Sequence, residues 1–258
     1  MFNVILLIND DGIEAPGLRA MYRALRQVPR SKVLAVAPSK QRSGMGHAIT
    51  INRGISVSHV HDAEDDFFGF AVEGTPTDCC KLGLKVLAQE SPHMVISGIN
   101  DGPNVGRSLF YSGTVGAALE AAVEGYFALA VSLDRGPDSD WQAAAELTVT
   151  IANALRGDAN LIGVVANLNL PAIPASEWKE LRLLDHGLSG FSEDYSMQQH
   201  GDGSTTWHLQ GQRIELENEG ETDAHALRAG HPTITLLRPS LNGDSAGLRK
   251  RLEAKRVL

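Results

Sequence analysis

The chain has 258 residues, 43% of them hydrophobic and 21% charged, an ordinary globular composition that permits a sizeable core. A net charge of -8 excludes a broad nucleic-acid backbone binder, which needs basic patches, so no nucleic-acid duplex is expected as a partner. A phosphate substrate stays open, because a metal ion can supply positive charge locally.

In chain order, Val4–Ile8 is a short continuous apolar run and predicts a buried parallel strand. It runs directly into Asn9-Asp10-Asp11-Gly12. Pro16 to Gln27 predicts a helix, with Leu18, Met21, Tyr22 and Leu25 at helical spacing and Pro16 in the first turn. Val33–Ala37 predicts a second strand, ended by Pro38. Thr77 to Leu87 predicts a helix opened by Gly74-Thr75-Pro76-Thr77-Asp78. Met94–Ile96 predicts a strand leading into Ser97-Gly98-Ile99-Asn100. Thr114–Val123 predicts an Ala-rich helix, Phe127–Leu133 a strand, Trp141–Leu155 a long helix and Val164–Leu168 a further strand. Alternating strands and helices imply the α/β class, a mostly parallel sheet flanked by helices.

The character changes after Pro171. Leu181–Leu184 and Thr233–Leu237 have strand chemistry, and Ala246–Val257 can form a charged terminal helix. Residues 187–213 are rich in Gly, Ser, His and Gln, with Tyr195, Trp207 and Leu209 interspersed. They predict an irregular arm or hairpin inside one domain spanning residues 1–258, with composition fitting either an arm for oligomerisation or a flexible surface loop. No run approaches the ~20 apolar residues of a membrane helix, so no membrane partner is expected. Cys79 and Cys80 are adjacent, too close for the usual disulfide span, and fit reduced thiols. No basic stretch precedes the first apolar run, which is short for a signal-peptide core, so a cytoplasmic location is expected.

Polar, glycine-punctuated segments interrupt this pattern at predicted strand ends and helix starts. Asn, Asp and Gly are turn residues, and one acid would serve a turn. Two acids at the tip of a first buried strand favour a metal or phosphate site, and carboxylates are hard oxygen donors suited to a hard cation. The loop Ala37–His47 offers Ser43 as a further oxygen ligand, and Arg42 or Lys40 for a phosphate on a mobile lip. Asn100, at a strand end, offers a neutral oxygen to a cation. Ser112-Gly113-Thr114 opens a helix, where hydroxyls and free N–H groups form an anion site, or else a simple cap. At Thr75–Asp78 the capping reading is the stronger one. No Walker A loop, dinucleotide glycine fingerprint or nucleophile elbow occurs. The ensemble suits metal-assisted phosphoryl transfer.

These segments, in this order, resemble the survival protein E (SurE) family of metal-dependent nucleotidases. The resemblance rests on Asn9-Asp10-Asp11-Gly12 with Ala15-Pro16-Gly17, Ala37-Pro38 with Arg42-Ser43-Gly44, Gly74–Cys79, Ser97–Asn100, and Gly102–Gly106 through Tyr111–Ala118. The second half matches loosely, at Asn169-Leu170-Pro171, Thr222-Asp223 and Gly230. One departure is Met45-Gly46-His47, where the family usually carries more serines. The resemblance implies that Asp10, Asp11, Ser43 and Asn100 bind one divalent metal ion per subunit, Mg²⁺ or Mn²⁺. It implies catalytic parts for Asp10, Asp11 and Asn100, and phosphate contacts for Ser112, Gly113 and Thr114 with Asn104 nearby. It implies that the α/β sheet is Rossmann-like, and it implies hydrolysis of nucleoside 5′- and 3′-monophosphates by a homodimer or homotetramer. The alternatives are a non-catalytic nucleotide or phosphometabolite binding module, or a phosphatase acting on polyphosphate or sugar phosphates. Attack by water and attack by Asp10 itself both remain open.

Overall fold

The computed structural model describes residues 3–62, 66–211, 213–214, 221–242 and 245–255. The amino-terminal half alternates β1 (Asn3–Ile8), α1 (Pro16–Arg26), β2 (Ser31–Pro38), β3 (Val57–His61), β4 (Phe67–Val72), α2 (Pro76–Leu82), β5 (Met94–Asp101) and α3 (Gly113–Val123). Then come β6 (Ala128–Leu133), α4 (Trp141–Leu155), β7 (Val165–Leu170), β8 (Arg182–Leu183), β9 (Gly190–Phe191), β10 (Asp194–Gln199), β11 (Thr205–Gln210), β12 (Arg213–Ile214), α5 (Asp223–Arg228), β13 (Thr233–Leu237) and α6 (Ala246–Ala254). One nine-stranded sheet has the order β3-β4-β2-β1-β5-β6-β7-β13-β8. Its pairings are parallel except β3 with β4 and β13 with β7. The fold is the expected α/β class.

Strand β1 shows why the sheet is sandwiched. Its side chains alternate between faces, and both faces are apolar. Ile5 and Leu7 join a core with Leu18, Met21 and Leu25 of α1 and Ala144 and Ile151 of α4. Leu6 and Ile8 join a second core with Cys79 and Cys80 of α2 and Val115, Ala118 and Ala122 of α3. Fully burying each large side chain stabilises the fold by roughly 1.5–3 kcal/mol. Small residues on α3 let it lie close to its neighbours: a Cβ on Gly116 would sit 2.4 Å from the Gly46 carbonyl oxygen.

The long elements fall close to their predicted spans, α4 at both ends. Three differences matter. β5 runs on through Asn100 to Asp101, so the asparagine sits inside a strand end, after a register irregularity between Ser97 and Asn100. α2 gives way at Gly83–Leu87 to a π-helical turn. β3 and β4 extend the sheet where no strand is predicted. In the 187–213 region, β10 and β11 form an antiparallel hairpin, and β9 pairs with β12. The predicted terminal helix is present to Ala254, and residues 256–258 lie outside the described residues.

Candidate metal and phosphate site

The chain leaves β1 for β2 on one side and returns to β5 on the other. This reversal makes the β1/β5 gap the switch point of the sheet, where open α/β folds bind ligands beyond the strand ends. Asn9 and Gly12 build the turn at β1's tip. Asn9 Nδ2 donates to the Gly12 carbonyl at 2.8 Å, and the Gly12 N–H donates to Asn9 Oδ1 at 3.2 Å. Gly12 has φ +104°, and a Cβ there would meet the Lys40 backbone at 3.3 Å. The turn thus uses Asn9 and Gly12 and leaves both acids for other work.

Asp10 is 3% exposed. Its Oδ1 accepts a hydrogen bond from Thr114 Oγ1 at 2.6 Å. Burial pushes its carboxyl up to about 6, against that hydrogen bond, and the neighbouring Asp11 adds to the rise. Asp11 is raised too, again chiefly by burial. Its Oδ2 accepts from the Asp101 N–H at 2.9 Å and its Oδ1 from Gln41 Nε2 at 3.3 Å. Asn100 donates through Nδ2 to the Gly102 carbonyl at 2.6 Å, and its Oδ1 lies 3.5 Å from Thr114 Oγ1. The Thr114 hydroxyl therefore stands between Asp10 and Asn100.

Ser43 arrives on the loop after β2. That loop is tied down rather than free: Ser39 N–H donates to the Val72 carbonyl at 2.9 Å, Arg42 N–H to the Asp10 carbonyl at 2.7 Å, and Gly46 N–H to the Tyr111 carbonyl at 3.0 Å. Ser43 Oγ accepts from Gln41 Nε2 at 3.1 Å. The Arg42 guanidinium faces Glu73 at 3.9 Å. His47, exposed, is engaged away from the acids: its Nε2 bonds Glu120 Oε2 at 2.8 Å while Lys81 Nζ lies 2.6 Å from Glu120 Oε1. Burial pushes Glu120 up, but the Lys81 and His47 hydrogen bonds outweigh it and hold the carboxyl below its ordinary range.

At the start of α3, Ser112 is the N-cap, its Oγ accepting from the Val115 N–H at 3.1 Å. Gly113 packs on the acid: a Cβ there would be 2.9 Å from Asp10 Cβ and 3.0 Å from its Oδ2. Asn104 is buried in a different network. Its Nδ2 donates to Ser132 Oγ at 2.8 Å, its N–H to Asn169 Oδ1 at 2.7 Å, and its carbonyl accepts from Asn167 and Asn169. Buried Asp223 holds the same loop through the Gly106 N–H at 3.0 Å. The Thr75–Asp78 segment is a capping box, as predicted.

The donor chemistry suits a hard divalent cation. Among the described residues no three His, Cys, Asp or Glu side chains cluster to hold a metal, and neither Asp10 nor Asp11 has an ion-pair partner. A buried carboxylate without a counter-charge is costly. Two carboxylates, a hydroxyl and an amide oxygen converging on one strand end can supply hard oxygen ligands. Gln41, which touches two of the four through its amide nitrogen, escapes sequence reasoning. The only hint is its place two residues before Ser43.

Comparison with known proteins decides the family. The model of the survival protein SurE family matches residues 5–193. The chain belongs to the SurE family. A relative from Symbiobacterium thermophilum, named 5′-nucleotidase SurE, is 38% identical over 232 residues, covering 90% of this chain and 91% of the relative. Another SurE, from Nitratidesulfovibrio vulgaris (strain DSM 19637 / Miyazaki F) and named 5′-nucleotidase, is 42% identical over 235 residues, covering 91% and 86%. The crystal structure of a SurE protein from Aquifex aeolicus superimposes with a TM-score of 0.80 at 28% identity, covering 97% of this chain and 99% of that one. The SurE family match ends at residue 193, directly before the β10–β11 hairpin begins.

Proposed function

We propose that this chain is a divalent-metal-dependent phosphomonoesterase that hydrolyses nucleoside 5′- and 3′-monophosphates to nucleoside and inorganic phosphate. The observation that carries the reading is the pair of adjacent carboxylates at the β1/β5 switch point, buried Asp10 and half-buried Asp11, which have no ion-pair partner among the described residues, with Asp10 bonded to the start of α3, in a SurE-family chain. Relatives named 5′-nucleotidase supply the substrate class.

Asp10, Asp11, Ser43 and Asn100 hold one Mg²⁺ or Mn²⁺ in this reading. Such an ion, when bound, polarises a phosphoryl oxygen and lowers the pKa of water. The start of α3 receives the phosphate, with Ser112, Gly113 and Thr114 in its first turn and the helix dipole favouring negative charge. Gly113 lets the phosphate and Asp10 approach without a side chain between them. Thr114 orients Asp10 through their 2.6 Å hydrogen bond. One of the two aspartates takes the proton from the attacking water. Asn104 has a supporting part, since its amide already donates to Ser132.

The test is phosphate release from AMP and GMP. Release should fall to background with EDTA and return with added Mn²⁺. Binding of AMP without turnover would leave a binding module. Faster release from polyphosphate or a sugar phosphate would move the reading to those esters.

We further propose residues 1–258 as one domain, cytoplasmic in keeping with the free, buried thiols of Cys79 and Cys80. Its 187–213 arm joins copies into a homodimer or homotetramer. The support is the hairpin's composition. Tyr195 pairs with Leu209 and Met197 with Trp207, which puts four large apolar side chains on one exposed face. Trp207→Asp with Leu209→Asp should shift the mass measured by light scattering to that of a monomer. An unchanged oligomer would exclude this face.

A further inference from the structure

We infer that Gln41 is a positioning residue for the cation site, a single side chain that sets the spacing of Asp11 and Ser43. The inference rests on the proposed reading of those two residues as metal ligands. One amide nitrogen makes both contacts: Gln41 Nε2 donates to Asp11 Oδ1 at 3.3 Å and to Ser43 Oγ at 3.1 Å. A side-chain amide has two N–H donors, one for each partner.

The two partners come from different places. Asp11 follows β1, and Ser43 lies on the loop after β2. Gln41 is 30 residues from the first and two from the second. Its backbone is anchored where the loops cross. Next to it, the Arg42 N–H donates to the Asp10 carbonyl at 2.7 Å. On its other side, Gly12 approaches so closely that a Cβ would meet the Lys40 carbonyl carbon at 3.3 Å and the Gln41 nitrogen at 3.4 Å. A fixed backbone with a forked donor is a jig for two oxygens.

The chemistry of the bridge matches the task. Asp11 Oδ2 is already held by the Asp101 N–H, so the Gln41 bond secures the second oxygen and fixes the carboxylate plane. Each carboxylate oxygen keeps a lone pair for a cation. Ser43 Oγ has two lone pairs, and accepting from Gln41 leaves the other one available. Gln41 is neutral, so it orients both acceptors without supplying the positive charge that would compete with the ion. Residues that orient ligands in this way typically alter metal affinity 10- to 100-fold when lost.

The test measures Mn²⁺ binding directly, by the loss of the free-ion electron paramagnetic resonance signal, on the full chain. Gln41→Met keeps the side-chain length and removes both donors. It is expected to weaken Mn²⁺ binding by about 10-fold or more, with the lost turnover returning as Mn²⁺ is raised. A structural role alone would not give the second expectation: in a Ser43→Ala background the same substitution should weaken binding by less, because one of the two oriented ligands is gone. Mn²⁺ binding within twofold of wild type in Gln41→Met overturns the inference, as does an equal loss in both backgrounds. Those results leave the metal reading standing if Asp11→Ala abolishes binding. A wild-type chain that binds no Mn²⁺ removes both.

Discussion

Asp10→Asn is expected to release phosphate from AMP at least about a hundredfold more slowly than the wild-type chain, and to be more stable than it without metal at pH 7. The two effects have one cause. Burial lifts the Asp10 carboxyl from 3.8 to about 6 in the fold, while it ionises near its ordinary value in the unfolded chain. Well below pH 3.8 the group is neutral in both states and carries no penalty. As pH rises from 3.8 towards 6, the unfolded chain loses its proton and the folded one keeps it, so the fold loses stability. Above 6 the full penalty is present, on the order of 1–3 kcal/mol for a shift of this size.

Asparagine keeps an oxygen for the Thr114 hydroxyl and removes the charge. The variant should therefore unfold at higher denaturant than wild type at pH 7, and at a similar concentration at about pH 3. Added Mn²⁺ should narrow the gap at pH 7 by stabilising the wild type, since a cation that binds the fold adds stability. Chemical denaturation at the two pH values, with and without Mn²⁺, measures this. Wild-type turnover by the variant would remove Asp10 from the site. A variant less stable than wild type at pH 7 would mean that its buried charge is compensated within the protein.

Gly113→Ala should also lower activity by about 10- to 100-fold, by displacing the groups that face the substrate rather than by removing one. An added Cβ would fall 2.9 Å from Asp10 Cβ, 2.9 Å from Pro76 Cγ and 3.0 Å from Asp10 Oδ2. Pro76 Cγ belongs to a rigid ring and Asp10 Cβ to the backbone end of its side chain, while the Asp10 carboxylate that carries Oδ2 is held by Thr114. Asp10 is fixed by β1 and Pro76 by the start of α2, so the first turn of α3 must move away. Overpacking of this kind destabilises by about 1–3 kcal/mol. Activity on AMP and the midpoint of urea unfolding check the two effects. An alanine variant with wild-type activity and midpoint would show that α3 does not pack on the acid as described.

The parts that were legible before folding, and those that were not, follow from two kinds of physics. Strand β1 and helices α1, α3 and α4 could be placed because each buries a long apolar face, which periodicity records directly. β3 and β4 could not. β3 is an edge strand whose side chains, Val60 apart, are exposed, so no buried face marks it. β4 carries Gly69, which reads as a breaker. It is there because a Cβ would lie 2.3 Å from the Ala35 carbonyl of β2. Helix α5 is six residues long, and its buried Asp223 is held by the distant Gly106 and Gly187 N–H groups, contacts that local pattern does not encode.

The same division runs through the site. By itself the sequence determined an α/β sheet with two acids at the tip of its first strand, because a short apolar run ending in Asn-Asp-Asp-Gly leaves few other readings. It also marked Ser43, Asn100 and Ser112–Thr114 as polar breaks at element ends. Only the tertiary structure decided which of these meet. Thr114 reaches Asp10 across 104 residues and Gln41 reaches Asp11 across 30, while Asn104 turns to Ser132. Those meetings depend on strand order. β5 returns on the far side of β1 from β2, and α3 follows it, so the loop after β2 and the start of α3 come together over one strand end. Side-chain periodicity fixes which face a residue takes; it carries no information about which strand lies next to which.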